Sequence, residues 1–113
     1  MTTAAVATSD GKTVHKGHFG DAAQYYIYDL STGTPLLVRK IDNPYHGHRE
    51  HGHGETWKRR SLLELLGHPD YVVATFYGPG GEEFFKKNKV NPVKAKPGAS
   101  IEEALESLLG KEG

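Results

Sequence analysis

The chain has 113 residues, 36% of them hydrophobic, with 14 acidic and 14 basic side chains that cancel. That profile fits one globular domain over residues 1–113, and zero net charge supplies no global field to attract nucleic acid or an anionic membrane, so neither is expected as a partner. It has no cysteine, and its one methionine is Met1, which excludes disulfides, thiolate zinc centres and cysteine-ligated iron–sulfur clusters. The start of the chain lacks a basic segment followed by a long apolar core, and no apolar run approaches about 18 residues. The expected setting is cytoplasmic.

Residues Thr3–Thr8 (TAAVAT) predict a strand whose small side chains suit a central position covered on both faces, ending at the turn Ser9-Asp10-Gly11. Lys12–Ala23 reads as a loop carrying His15, His18, Phe19 and Gly20. Gln24–Leu30 and Pro35–Ile41 predict a hairpin closed by Ser31–Thr34. After the segment 43–54 the period changes from two to 3.6. Thr56 is a candidate cap for a helix from Trp57 to about Leu66, with Leu62, Leu63, Leu65 and Leu66 facing the core and Gly67 and Pro69 ending it. Tyr71–Phe76 (YVVATF) is a nearly continuous apolar run, as a strand buried on both faces requires.

Gly78-Pro79-Gly80-Gly81 leads into a short helix to Lys87, with Glu82 and Glu83 at its start and Lys86 and Lys87 at its end, as the helix dipole favours. Val90–Ala95 is a weaker strand, demoted by Pro92. Ser100-Ile101-Glu102-Glu103 is a capping box that opens a last helix. Its apolar stripe is Ile101, Ala104, Leu105, Leu108 and Leu109, and Gly110 is its expected stop. The order β-β-β-α-β-α-β-α predicts the α/β class, a mixed sheet with helices on its faces.

Four of the seven histidines, His46, His48, His51 and His53, fall in Asn43–Gly54. Neutral imidazole is the commonest protein ligand for borderline transition metals, so this density points to metal. Gly47, Gly52, Gly54 and Pro44 argue against regular structure there. In an extended run His46 shares a face with His48, and His51 with His53, but the two pairs are opposed. A single ion uses all four only if the chain reverses near Glu50–Gly52. The spacing also excludes the His-Glu-x-x-His zinc motif.

His18-Phe19-Gly20, a following alanine at 22 or 23, and Tyr26–Leu30 resemble the His-Phe-Gly opening of the dinitrogenase iron-molybdenum cofactor biosynthesis family. Asn43-Pro44 with a His-rich loop, Leu62–Leu66, Asp70–Val73, Gly78-Pro79 and the Ser100–Leu109 helix follow in similar order, so the resemblance spans nearly the whole chain. That family comprises NifX-like proteins, the C-terminal domain of NifB-like proteins and short standalone homologues. The resemblance implies a three-layer α/β/α, ribonuclease-H-like fold with a five-stranded mixed sheet. It also implies binding or carriage of an iron–molybdenum or related metal–sulfur cofactor or precursor, a nitrogenase-accessory-like role without catalysis, with cofactor-assembly proteins as partners. The family's cluster-binding histidine maps to His18. Many members carry arginine directly after His-Phe-Gly, where this chain has Asp21.

The expected cofactor contacts are therefore His18, Phe19, Gly20, Gly78 and Gly80. His18, His46, His48, His51 and His53 are the expected metal contacts. The glycines at 78 and 80 enter because backbone N–H groups at a strand-to-helix turn favour anions. Bland readings stand beside each: a turn-stabilising His18 with Phe19 as packing anchor, a solvated histidine loop, and a plain glycine turn that lacks the Walker ending. Two other functions follow from them, a divalent-metal (zinc, nickel or iron) binding or sensing module built on the loop, and a regulatory domain for a small anion. A nuclease is not expected, because Asp10, Asp29, Asp42 and Asp70 make no convincing convergent set.

Overall fold

A computed structural model of the chain describes residues 2–45, 55–78 and 80–112. Five strands, β1 (Thr3–Thr8), β2 (Gln24–Asp29), β3 (Leu36–Asp42), β4 (Tyr71–Ala74) and β5 (Asn91–Lys94), form one sheet in the order β3-β2-β1-β4-β5. β1 runs parallel to β4 and β4 parallel to β5, while β1–β2 and β2–β3 are antiparallel. The helices are α1 (Glu55–Leu65), α2 (Gly81–Lys87) and α3 (Ile101–Glu112), with a 3-10 turn at Phe19–Asp21. The expected three-layer α/β/α arrangement around a five-stranded mixed sheet is the one observed.

β1 sits in the middle because its side chains are small. Ala5 and Ala7 point to one face, where Leu62, Leu63, Leu66 and Phe85 of the α1–α2 layer cover them. Ala4 and Val6 point to the other face, under Ile101, Leu105 and Leu108 of α3. The period of two along one strand thus feeds two separate cores. Asp29 shapes the hairpin, its carboxylate accepting from the Ser31 amide at 2.9 Å and from the Ser31 hydroxyl at 2.6 Å. A register shift opposite Ile27 and Tyr28 passes over Val38 and kinks β3, the outer strand.

Three expected helix details differ. α1 begins at Glu55, so Thr56 lies inside it rather than capping it. Leu65 is 38% exposed, whereas Leu62, Leu63 and Leu66 are buried. With leucine at 62, 63, 65 and 66, the run is too dense for period 3.6 to choose the outward residue. α3 continues through Gly110 to Glu112; a glycine lowers helix propensity by only about 1 kcal/mol and need not end a helix. The capping box is real: the Glu103 amide donates to Ser100 Oγ at 3.0 Å. The strand expected to reach Phe76 stops at Ala74, and Phe76 instead forms an isolated parallel bridge with His18.

Candidate functional site

The loop after β1 is tied to the sheet at both parallel strand ends. The His15 amide donates to the carbonyl of Ala7, and the Thr75 hydroxyl donates to the carbonyl of His15 at 2.9 Å. The Phe19 amide donates to Phe76 at 2.8 Å, and the Asp21 amide closes the 3-10 turn onto His18. Phe19 then goes inward. Its ring is 3% exposed and packs 4.9 Å from Tyr25, 5.3 Å from Phe85 and 5.9 Å from Tyr77. Tyr25 hydrogen-bonds the Phe19 carbonyl at 2.6 Å, and burial, with Asp21 adding to it, pushes the Tyr25 hydroxyl well above its ordinary pKa. It therefore remains a donor at neutral pH.

Asn43 completes the anchor from β3. Its side-chain amide donates to the carbonyls of Gly20 at 3.0 Å and Ala22 at 2.7 Å, and its Oδ1 accepts from the Tyr45 amide. Asn43 is buried, and these bonds satisfy it. The result is a rigid turn that leaves the His18 side chain exposed.

Opposite His18 lies the turn after β4. Gly78 has φ +74°, and a Cβ there would lie 3.1 Å from His18 Nδ1, so the imidazole occupies space that any other residue would fill. α1 forms the third wall. Neighbouring residues on a helix point about 100° apart, and α1 uses that divergence: Lys58 lies over Gly20, with Nζ 3.7 Å from the position of a Cβ. Arg59 lies over the next turn, Nη1 and Nη2 at 3.7 and 3.8 Å from such positions on Gly80 and Gly81. Lys58 Nζ is also 3.7 Å from Asp21 Oδ1. Leu62, one helical turn beyond Lys58, joins Phe19, Tyr77 and Phe85 as the apolar floor.

These parts enclose a small open cleft of about 70 Å³, lined also by Gly20, Asp21 and Gly78. His18, Phe19, Gly20 and Gly78 are thus brought together. Gly80 does not line the cleft, although it lies beside Arg59. The Gly81 amide is taken by the Gly78 carbonyl at 3.2 Å. His46, His48, His51 and His53 lie outside the described residues. The segment holding them leaves the described chain at Tyr45, which packs against the α1–α2 core, and rejoins it at the start of α1.

Lys58 and Arg59 were not among the residues expected from sequence. Lys58-Arg59-Arg60 is a run of three cations in the middle of α1, a pattern that in sequence reads as a solvated helix face. His15 stands apart from the cleft lining, its Nδ1 3.0 Å from Ser9 Oγ. Each of the four aspartates weighed for nuclease chemistry has a local bond. Asp10 accepts from the Lys12 and Thr13 amides, Asp29 from Ser31, Asp42 from Gln24 and Asp70 from the Thr3 amide. Among the described residues, no group of three or more histidine or acidic side chains is placed to hold a metal ion.

His18, Asp21, Lys58 and Arg59 thus surround a cleft beyond the carboxyl ends of the parallel strands β1 and β4, the place where open α/β sheets bind ligands. The family model described as dinitrogenase iron-molybdenum cofactor matches residues 1–111, and the chain belongs to that family. No curated protein matches it. Among solved structures it is similar to a Thermotoga protein described as NifB, at 21% identity and TM-score 0.67 over 100% of this chain and 90% of the other. It is similar also to the apo form of the orange protein from Desulfovibrio gigas, at 20% identity and TM-score 0.75 over 99% of this chain and 90% of that one. At these identities the structural likeness speaks for the fold.

Proposed function

We propose that the chain is a non-enzymatic carrier that binds an iron–molybdenum or related metal–sulfur cofactor, or its precursor, in the cleft at His18. The family supports cofactor binding and carriage as the general role. The observation that carries the reading to this site is His18 itself: an exposed imidazole on a turn fixed by Phe19 and Asn43, seated against a glycine that makes room for its ring. The donor set fits transient cargo. One imidazole and no thiolate can hold a cluster that arrives with its own sulfide, yet release it to an acceptor. Cofactor-assembly proteins in the cytoplasm are the donors and acceptors in this proposal, and residues 1–113 act as one domain.

Anaerobic reconstitution with iron, sulfide and molybdate, followed by metal analysis and visible absorption, tests it. The wild-type chain should take up a chromophoric cluster, and His18→Ala should lose most of that uptake. A chain that binds zinc or nickel but takes up no cluster under these conditions would instead be the divalent-metal module built on His46, His48, His51 and His53. The density of those histidines is what favours that second reading.

A further inference from the structure

Phe76 is a large apolar side chain beside the cleft that neither core takes in. It is 51% exposed and belongs to neither buried cluster. A phenyl ring left in water forgoes the burial that ordinarily stabilises it, yet the backbone around this one is fixed. The Thr75 hydroxyl before it donates to the His15 carbonyl, and the Tyr77 hydroxyl after it donates to the Val72 carbonyl at 2.8 Å. The Phe76 carbonyl accepts from the Phe19 amide, and residues 18 and 76 form an isolated parallel bridge. That pairing sets their rings side by side, with centroids 6.4 Å apart and planes tilted by 56°. The separation falls in the range of about 4.5–7 Å over which aromatic rings attract.

The His18 imidazole is thus bounded on two sides. Its Nδ1 and Cε1 are the ring atoms nearest Gly78, 3.1 and 3.4 Å from the position of a Cβ there, so the Cδ2 side of the ring is turned away from that turn. Phe76 is absent from the cleft lining that includes His18, which places the phenyl contact on the outer side of the imidazole. An exposed histidine samples several rotamers unless its neighbours restrict it, and fixing one on binding costs free energy.

We propose that Phe76 is a positioning residue, a buttress that holds the His18 imidazole with its Nδ1–Cε1 edge on Gly78 and keeps it from turning away from the cleft. The inference rests on the carrier reading for its cargo, whereas the orientation of the ring is a property of the chain alone. A ligand ordered beforehand removes part of the ordering cost when cargo binds. The exposure of Phe76 follows from this role: a phenyl ring packed into the core would leave the imidazole without its outer wall.

The test compares the full-length wild type with Phe76→Ala and Phe76→Tyr, with urea melts to establish that each is folded. Proton Overhauser contacts in the metal-free proteins read the ring's orientation. Wild type and Phe76→Tyr should show a contact from His18 Hε1, not Hδ2, to the Gly78 α-protons, and Phe76→Ala should lose most of it. Reconstitution with limiting iron, sulfide and molybdate should load Phe76→Ala about three- to tenfold less than wild type, the scale of one aromatic contact, and Phe76→Tyr equally well. Contacts that persist in Phe76→Ala overturn the buttress, whatever happens to loading, because a loading defect would then mean direct contact with cargo. Lost contacts with unchanged loading overturn it too, and a wild-type contact from Hδ2 reverses the edge and contradicts the geometry. Cluster on wild type in the face of any of these leaves the carrier standing. No cluster on wild type sinks the carrier, and the Overhauser contacts alone then decide whether Phe76 orients the ring.

Discussion

Gly78 and Asp10 show two ways in which single residues hold the loops around the cleft. Gly78 adopts a left-handed backbone, and its missing Cβ makes room for the His18 ring. Gly78→Ala should lower stability by about 1–2 kcal/mol in urea unfolding, the cost of forcing an L-residue into that region. The same substitution should displace the imidazole and reduce cluster uptake; unchanged values in both measurements would mean that the turn relaxes freely. Asp10 organises the start of the same long loop. Its carboxylate accepts from the amides of Thr13 and Lys12 and from the Thr13 hydroxyl, and these bonds hold it well below the ordinary carboxyl range. A depressed folded value means that the stabilisation is complete above the unfolded pKa of about 4 and is lost as pH falls below it. Wild type should therefore lose more stability between pH 6 and pH 2.5 than Asp10→Asn does. Equal losses would remove Asp10 from the account.

Among the elements, Asn43 and α3 bear the clearest tests. Asn43 directly follows β3 and joins it to the His18–Ala22 turn through two side-chain bonds. Asn43→Ala would strand two carbonyls and should cost about 2–3 kcal/mol. Amide exchange should rise first at Phe19 and Asp21, because their bonds close that turn; a uniform rise across the sheet would contradict the local role. α3 is the sole helical cover of its face among the described residues, with Leu105 1% exposed. Leu105→Ala should cost about 2–5 kcal/mol and leave the cleft on the opposite layer intact, as shown by a lowered urea midpoint with unchanged cluster uptake. How well an element could be read in sequence tracks how local its signal is. Thr3–Thr8 was readable because small residues at every position suit only a strand covered on both sides. α3 was readable at its start, where Ser100 and Glu103 form a local cap, but not at its end, where Gly110 weakens a helix without breaking it. Leu65 was misplaced because four leucines in five positions carry no usable phase.

Across the whole molecule, the cleft joins three pieces distant in sequence: the turn at His18, the turn at Gly78 and the side of α1. The first two were readable as motifs, since histidine and glycine in loops carry chemical meaning on their own. Lys58 and Arg59 were not, because a helical cation is ordinarily a solvated surface group, and only the packing of α1 beside both turns gives the pair a place at the site. The histidine-rich segment, the strongest signal in composition, connects a residue packed on the α1–α2 core to the start of α1. In the proposed carrier its imidazoles are auxiliary and His18 is the fixed ligand. The central claim is tested most directly by anaerobic reconstitution of wild type and His18→Ala with iron, sulfide and molybdate, with bound metal and visible absorption measured on the desalted proteins. The carrier account predicts a cluster on wild type and little on His18→Ala, with zinc binding equal in both. Equal cluster loading of the two proteins would contradict it.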